Sequence, residues 1–367
     1  MILKKLNLQN FRNYSKKVFE FSDKINLIVG LNAAGKTNIL EAICFLATGR
    51  SFRVKLVERE AIRYGEEIAR ITGNVEGEVR LEIVLTAGEV GGEKTAKKKY
   101  RVNGVGKRQA DFLGNLRAVY FGPEDLELVT DSPGLRRRYL EVVLASVDRE
   151  YLRASLSYEK GLRSRNRLLE EMKETQVVDR RRLYFWNQLL IKNGNYITKK
   201  RAEFIDFING LPSTDYGLQQ FLIEYDPSAI SEERLAKYST EEIAAGVTLV
   251  GPHRDNFKFQ ISHFDREARR ANFKLDGERD LAVYGSRGEQ RLAILWLKLG
   301  ELAFIEEKAS GLPILLLDDI FSELDVLHRK IVFDLIAGHQ TIITTADLGM
   351  VGKEWLKGVN IINLLYY

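Results

Sequence analysis

Two stretches of this chain have residue types and spacing suited to phosphate chemistry. Gly30-Leu31-Asn32-Ala33-Ala34-Gly35-Lys36-Thr37 follows the pattern G-x-x-x-x-G-K-T. Its glycines let backbone N–H groups curl around phosphate oxygens, and a helix starting there adds positive partial charge. Lys36 is placed to reach the terminal phosphates and the Thr37 hydroxyl to bind Mg2+. The loop through Asn38 is the expected cradle. Far downstream, Leu312-Pro313-Ile314-Leu315-Leu316-Leu317-Asp318-Asp319 is an apolar run ending in two carboxylates. A buried parallel strand that delivers an acid at its C-terminal tip is the usual place for a Mg2+ ligand. Asp318 is therefore the expected metal ligand beside Thr37. Asp319 is positioned to orient an attacking water, which makes Lys36 and Asp319 the candidate catalytic pair.

The flanking elements agree with these roles. Ile25-Asn26-Leu27-Ile28-Val29 suits a buried strand, and Asn38 to Leu46 has apolar residues at helical spacing. Strands are expected at Met1 to Asn7 and Lys24 to Val29. A pair at Ile68 to Val75 and Val79 to Leu85 is joined by a turn at Glu76-Gly77-Glu78. Residues 90–94 read as a loop. Lys97 to Val102 reads as a basic strand entering a hairpin turn at Asn103-Gly104. Helical spacing runs from Leu135 to Met172 and again from Asp179 to Ile208, with a break at Glu174-Thr175-Gln176, which predicts a helical hairpin. It is too short and irregular for a long coiled-coil arm. Strands return at Phe221 to Tyr225, Phe257 to Ser262 and Gln340 to Thr345. His253, beside Pro252, has no metal-ligand spacing around it and reads as structural.

The bulk numbers fit a soluble globular chain. Its 367 residues are 45% hydrophobic and 29% charged, enough length for two lobes. No run of eighteen apolar residues crosses a membrane, and the N-terminus lacks a signal-peptide core. The one cysteine, Cys44, falls on the apolar face of the helix after the loop, so packing is its expected role and a reducing, cytoplasmic setting follows. Lys and Arg exceed Asp and Glu by five and the pI is about 9.0, which permits nucleic-acid binding.

Two further segments narrow the class. Ser286-Arg287-Gly288-Glu289-Gln290-Arg291 precedes a helix expected from Leu292 to about Glu306, and Ser322-Glu323-Leu324-Asp325 follows the two carboxylates. This order resembles the ABC-type ATPases, particularly their SMC-like DNA-repair branch, and no guanine-reading motif is visible, so ATP is favoured. The resemblance to the RecF family covers essentially the whole chain. It is carried jointly by Leu8-Gln9-Asn10-Phe11-Arg12-Asn13-Tyr14, the phosphate loop with its continuation to Ile43, Gly49-Arg50-Ser51-Phe52-Arg53 and Phe121-Gly122-Pro123-Glu124-Asp125-Leu126. Arg136-Arg137-Arg138-Tyr139-Leu140, Gly251-Pro252-His253-Arg254-Asp255 and Leu317 to Asp325 complete it.

That resemblance implies an α/β, two-lobed SMC-like head with a helical second lobe: residues 1–121 and 292–367 form the ATPase lobe and 122–291 the second. It implies ATP and Mg2+ as cofactors and an ATP-dependent homodimer. It also implies binding to double-stranded DNA at gap junctions, partnership with RecO and RecR, and promotion of RecA loading. Arg12 would lie near the nucleotide phosphates. Ser286, with Gly288 and Glu289, would meet the γ-phosphate held by the other subunit. The physical logic is that one nucleotide saturates its own loop, so a second anion-seeking helix terminus makes sense if it caps a partner's ATP. Two departures from the wider ABC pattern point to slow hydrolysis. Asp319 stands where Glu is common, and Thr345-Ala346-Asp347 stands where a histidine is common.

Basic candidates for DNA are Arg53, Lys55, Arg59 and Arg63, then Lys97, Lys98 and Lys99 with Arg101, then Lys107-Arg108. Arg136-Arg137-Arg138, Arg180-Arg181-Arg182 and Lys199-Lys200-Arg201 are further runs, but those on the ATPase lobe are preferred. Contacts should go to phosphates, since no base-reading motif is present. A second reading is an ABC-type ATPase subunit of a membrane transporter. The large helical lobe, the lack of an evident Gln-bearing coupling loop and the missing catalytic Glu weigh against it.

Overall fold

The computed structural model describes residues 1–53, 58–211, 221–261, 279–320, 329, 332, 336, 338–347, 349 and 358–364, with only the backbone of residue 180. The expected sites at Lys55 and at 322–325 fall outside them. In chain order the first elements are β1 (Leu3–Phe11), β2 (Tyr14–Glu20), β3 (Ile25–Val29), α1 (Lys36–Thr48), β4 (Ile68–Val75), β5 (Val79–Thr86), β6 (Glu89–Val90) and β7 (Glu93–Lys94). Next come β8 (Lys98–Val102), β9 (Val105–Lys107), α2 (Gln109–Phe112), β10 (Ala118–Phe121), α3 (Glu127–Thr130), α4 (Pro133–Val147), α5 (Arg149–Thr175) and α6 (Arg180–Asn209). The rest are β11 (Phe221–Asp226), α7 (Glu232–Lys237), α8 (Ser239–Ala245), β12 (Asn256–Ile261), β13 (Arg279–Asp280), α9 (Leu281–Tyr284), α10 (Arg287–Lys308), β14 (Ile314–Asp318), β15 (Thr341–Thr345) and β16 (Asn360–Asn363). They form two compact units, Met1–Asp125 with Glu301–Tyr367, and Leu126–Gly300.

The first unit sets two sheets against one helix. A parallel sheet in the order β10-β14-β15-β3-β16 aligns the C-terminal ends of its strands. Strands β14 and β15 are buried at every residue, as expected for central parallel strands covered on both faces. An antiparallel sheet runs β2-β1-β4-β5-β8-β9. Helix α1 contacts β4 and β5 of that sheet and β10, β14 and β15 of the other. Being covered on both sides explains why Ile39 through Ala47 are buried without interruption, Cys44 included. Gly73 on β4 permits the approach, since a Cβ there would lie 2.6 Å from Leu46 Cδ1.

The second unit is built on the helical hairpin. Asp148 splits the expected single helical run into α4 and α5, its carboxylate accepting from the Tyr151 N–H as an N-cap. Helices α5 and α6 meet through Gly161, where a Cβ would lie 2.5 Å from Leu189 Cδ2, and through Arg165 Nε donating to Asn187 Oδ1 at 2.8 Å. Arg165 is 2% exposed and pairs with the fully buried Glu242 at 2.6 Å. Arg201 on α6 pairs with Asp255 at 2.8 Å, and Asp255 also accepts from the Tyr225 hydroxyl. A sheet of β11, β12 and β13 completes the unit.

Several elements differ from the sequence reading for clear reasons. Helix α10 begins at Arg287 rather than near Leu292 because Ser286 and Glu289 form a reciprocal capping box. Residues 90–94, read as a loop, instead take part with Glu89 in the short β6-β7 ladder. The periodicity did not reveal β2, β10 or β16, which are short or alternate only weakly. The Asn103-Gly104 turn has φ of 51° and 80°, the positive pair that a two-residue hairpin needs.

His253 sits inside the second unit. Its Nε2–H donates to the Thr248 carbonyl at 3.1 Å and its Nδ1 accepts from the Tyr158 hydroxyl at 2.9 Å, which fixes the neutral ring. Burial lowers its pKa from 6.5 to about 4. The unfolded ring takes up its proton near 6.5 and the folded ring only near 4. This contribution to stability is thus complete above pH 6.5 and is lost as the pH falls to about 4. The urea midpoint should fall across that window, and less steeply in His253→Gln. Equal slopes in the two proteins would contradict the assignment.

Candidate functional site

The phosphate loop leaves β3 at its C-terminal end and is held from three sides. Gly30 N–H donates to the Thr345 carbonyl at 3.3 Å, and a Cβ on Gly30 would lie 3.0 Å from Leu364 Cβ. Ala33 and Gly35 take φ of 67° and 98°, which turns the chain into α1. At Gly35 the left-handed φ favours glycine, and a Cβ would also press on the ends of the Asn13 and Tyr14 side chains at 2.6 and 2.8 Å. No side chain caps α1, so its first-turn N–H groups are suited to an anion. Lys36 Nζ donates to the carbonyls of Gly30 at 2.7 Å and Leu31 at 3.1 Å. Burial lowers its proton affinity, while Asp319 and Asp318 oppose that shift. The amine thus rests on two carbonyls of its own loop, which phosphate oxygens can replace.

The acidic edge lies in register beside it. Asp318, 5% exposed, ends β14 and pairs with Thr344 of β15 in the parallel ladder. Its Oδ1 accepts from Thr37 Oγ1 at 3.1 Å and Thr344 Oγ1 at 2.5 Å. A hydroxyl beside a buried carboxylate is a hard-oxygen pair that fits Mg2+. Asp319 has a φ of 48°, an uncommon conformation for a non-glycine residue, and its N–H donates to Thr344 Oγ1 at 3.1 Å. Tyr120 stacks on Phe52 with centroids 3.8 Å apart and donates its hydroxyl hydrogen to Glu124 at 2.7 Å. Its oxygen lies 3.4 Å from Asp318 Oδ2. Burial foremost, then Asp318 and Glu124, keep the tyrosine protonated.

A second polar cluster surrounds Glu41, a fully buried carboxylate on α1. Arg12 reaches it with two nitrogens, at 2.6 and 2.9 Å, and donates a third hydrogen bond to the Glu60 carbonyl. Arg53 reaches it at 3.2 Å and also donates to Asn38 Oδ1 at 3.0 Å, and the Ser51 hydroxyl donates to it as well. Arg12 and Arg53, chosen separately as a phosphate contact and a DNA contact, therefore share one carboxylate next to the loop. Together with Asn13, Asn38, Arg59 and Arg63 they line an open cleft of about 960 Å³.

The signature segment belongs to the second unit. Ser286 and Gly288 are exposed at the start of α10. The Ser286 hydroxyl donates to Glu289 Oε2 at 2.9 Å and accepts from the Glu289 N–H at 3.3 Å. Glu289 thus faces its own helix cap.

The basic candidates divide. Arg59, Arg63, Lys97 and Lys99 are exposed. Lys98 instead turns inward to the Gly49 carbonyl and to Glu58 at 2.6 Å. Arg136 is buried against Asn256 and the Leu128 and Asp131 carbonyls, and Arg137 donates to the Asp255 carbonyl. Sequence reasoning missed Glu41, Ser51, Tyr120, Glu124 and Thr344. A Glu inside an otherwise apolar helix face was the available signal for the first. Among the described residues no cluster of His, Cys, Asp and Glu could by itself hold a metal, and no helix is long and apolar enough to cross a membrane.

Removing Glu41 would leave two guanidinium groups against a buried helix. Glu41→Ala should cost about 3–5 kcal/mol of unfolding free energy, read by urea denaturation. An unchanged midpoint would contradict the reading of Glu41 as their shared anchor.

Known proteins resemble this chain over nearly its whole length. The family described as RecF/RecN/SMC N terminal domain matches residues 2–361. The DNA replication and repair protein RecF of Shouchella clausii is 36% identical over 95% of this chain and 93% of its own. That of Agathobacter rectalis is 34% identical over 95% and 93%. Among solved structures, the recombination mediator protein RecF-ATPrS in the RecFOR pathway superposes with a TM-score of 0.81 at 32% identity, covering 96% of this chain and 94% of that one. The corresponding RecF-ATP structure has the same TM-score and identity over 94% and 92%.

Proposed function

Because the chain belongs to the RecF family of DNA replication and repair proteins, we propose that it binds ATP with Mg2+, dimerises on ATP and binds double-stranded DNA at gap junctions. Working with RecO and RecR, it assists RecA loading. The observation that carries the nucleotide reading is the meeting of Lys36, Thr37 and Asp318 at the aligned strand ends. The relatives solved as RecF-ATP and RecF-ATPrS in the RecFOR pathway support ATP and the pathway. The transporter reading has no support among these relatives.

In this reading the backbone from Gly30 to Thr37 and the N-terminus of α1 bind the phosphates, and Lys36 exchanges its two carbonyls for terminal phosphate oxygens. Thr37 and Asp318 would hold Mg2+, and when bound it would neutralise developing phosphate charge. Asp319 orients the attacking water. Its carboxylate is one methylene shorter than the Glu common at that position. The histidine common after the last core strand is absent, with Thr345-Ala346-Asp347 in its place. Hydrolysis is therefore slow, well below about 10 per second, and ATP acts as a timed clamp.

The clamp closes through Ser286. A γ-phosphate from the partner copy displaces Glu289 as the anion at the start of α10, and Ser286 and Gly288 then cap it. ADP lacks that group, so hydrolysis loosens the dimer. Arg59, Arg63, Lys97 and Lys99 supply phosphate contacts to the duplex.

A mixing experiment tests the composite site. Lys36→Ala and Ser286→Arg should each hydrolyse ATP at a small fraction of the wild-type rate, itself below about 10 per second. Mixed in equal amounts they should regain part of it, because one site of the heterodimer keeps both a sound loop and a sound Ser286. No recovery on mixing, or a wild-type rate at or above that value, would overturn the clamp reading.

A further inference from the structure

We propose that the outward face of the antiparallel sheet in the first unit is the platform that grips the phosphate backbone of duplex DNA. The proposal rests on the DNA-binding reading above and adds where the duplex lies.

The strand register defines this face. Across the sheet, Lys16, Gln9, Arg70, Val84 and Lys99 form one row. Val18, Asn7, Thr72, Glu82 and Arg101 form the next. Glu20, Lys5, Asn74 and Arg80 form the third. The opposite face carries Leu6, Leu8, Ile71, Leu81 and Ile83, all fully buried. The outward rows thus hold six cations and two carboxylates. Lys5 pairs with Glu20 at 2.9 Å, and Arg70 and Arg101 share Glu82 at 3.1 and 3.5 Å. Both carboxylates are therefore already paired, while Lys16, Arg80 and Lys99 make no ion pair among the described residues.

The centre of the face is polar and uncommitted. Asn7, Gln9, Thr72 and Asn74 make no side-chain hydrogen bond among the described residues, and the first three line a shallow hollow of about 410 Å³ with Arg70, Arg80 and Glu82. A protein partner would need an apolar centre depleted of charge. Here the only valines are Val84, 5% exposed, and Val18 at the rim. A polyanion suits the face better. Neighbouring strands lie about 4.8 Å apart, so Lys16, Arg70 and Lys99 stand at intervals of about 10 Å, close to the ~12 Å width of a major groove. Lysine and arginine bind backbone phosphates without reading sequence, and amide and hydroxyl groups can add hydrogen bonds to them.

The test is fluorescence anisotropy of a labelled 30-base-pair duplex with ATP and Mg2+ over a salt series. The variant is Lys16→Gln/Arg80→Gln/Lys99→Gln, and the control is Lys160→Gln/Lys173→Gln/Lys237→Gln, three exposed lysines of the second unit. Both should melt at the wild-type temperature. The face variant should bind at least tenfold more weakly, with a log–log salt slope shallower by about 2–3, since each lost phosphate contact removes about 0.9. The control should bind like wild type. Equal loss in both variants, or wild-type binding by the face variant, would overturn the proposal. Wild-type protein that binds no duplex at any salt would instead overturn the DNA-binding reading beneath it.

Discussion

Asp318 accepts hydrogen bonds from Thr37 and Thr344, and the first of these joins residues 281 positions apart. This contact exists only because β3, β15 and β14 are parallel neighbours in one register. Ile28 pairs with Thr344, and Thr344 pairs with Asp318. A slip of one residue in either ladder would send the carboxylate to the other face of the sheet. The constraint explains the burial of β14 and β15 at every position and the placement of α1 between two sheets. It also explains the tolerance for unusual backbone at Ala33 and Asp319, where the packed loop and strand ends determine the conformation.

Around that edge the molecule uses buried charge as fastening. Glu41 gathers Arg12, Arg53 and Ser51 from separate segments onto α1. In the second unit, Arg165 with Glu242 and Arg201 with Asp255 do the same for the helical hairpin. Such pairs add little net stability compared with apolar packing, but losing one partner is costly. They fix one arrangement of segments that are distant in sequence. Several arginines that look available for DNA in the sequence are committed to this internal work.

What the sequence made legible follows the same division. The phosphate loop, the strand that delivers Asp318 and the helical hairpin were readable because each is a local pattern with its own periodicity or spacing. The fates of Arg12, Arg53, Lys98 and Arg136 were not, since a basic side chain points inward only where a distant carboxylate or carbonyl waits for it. Thr344 was hidden for a related reason. Its strand was evident, but its hydroxyl matters only once β14 lies alongside. Strand β16 is four residues with alternating exposure, too short to stand out by periodicity. The start of α10 was misjudged by five residues because the Ser286–Glu289 cap extends the helix beyond its apolar stripe.

Two helix termini differ in what they hold. One terminus, at α1, is open to an anion and built around Lys36. The other, at α10, holds the Glu289 carboxylate against Ser286 in its own cap. The measurement that tests this most directly is sedimentation velocity of the full chain with Mg2+ and either ATP or ADP. The account predicts a dimer with ATP and a monomer with ADP. A monomer in both, or a dimer indifferent to the nucleotide, would contradict it.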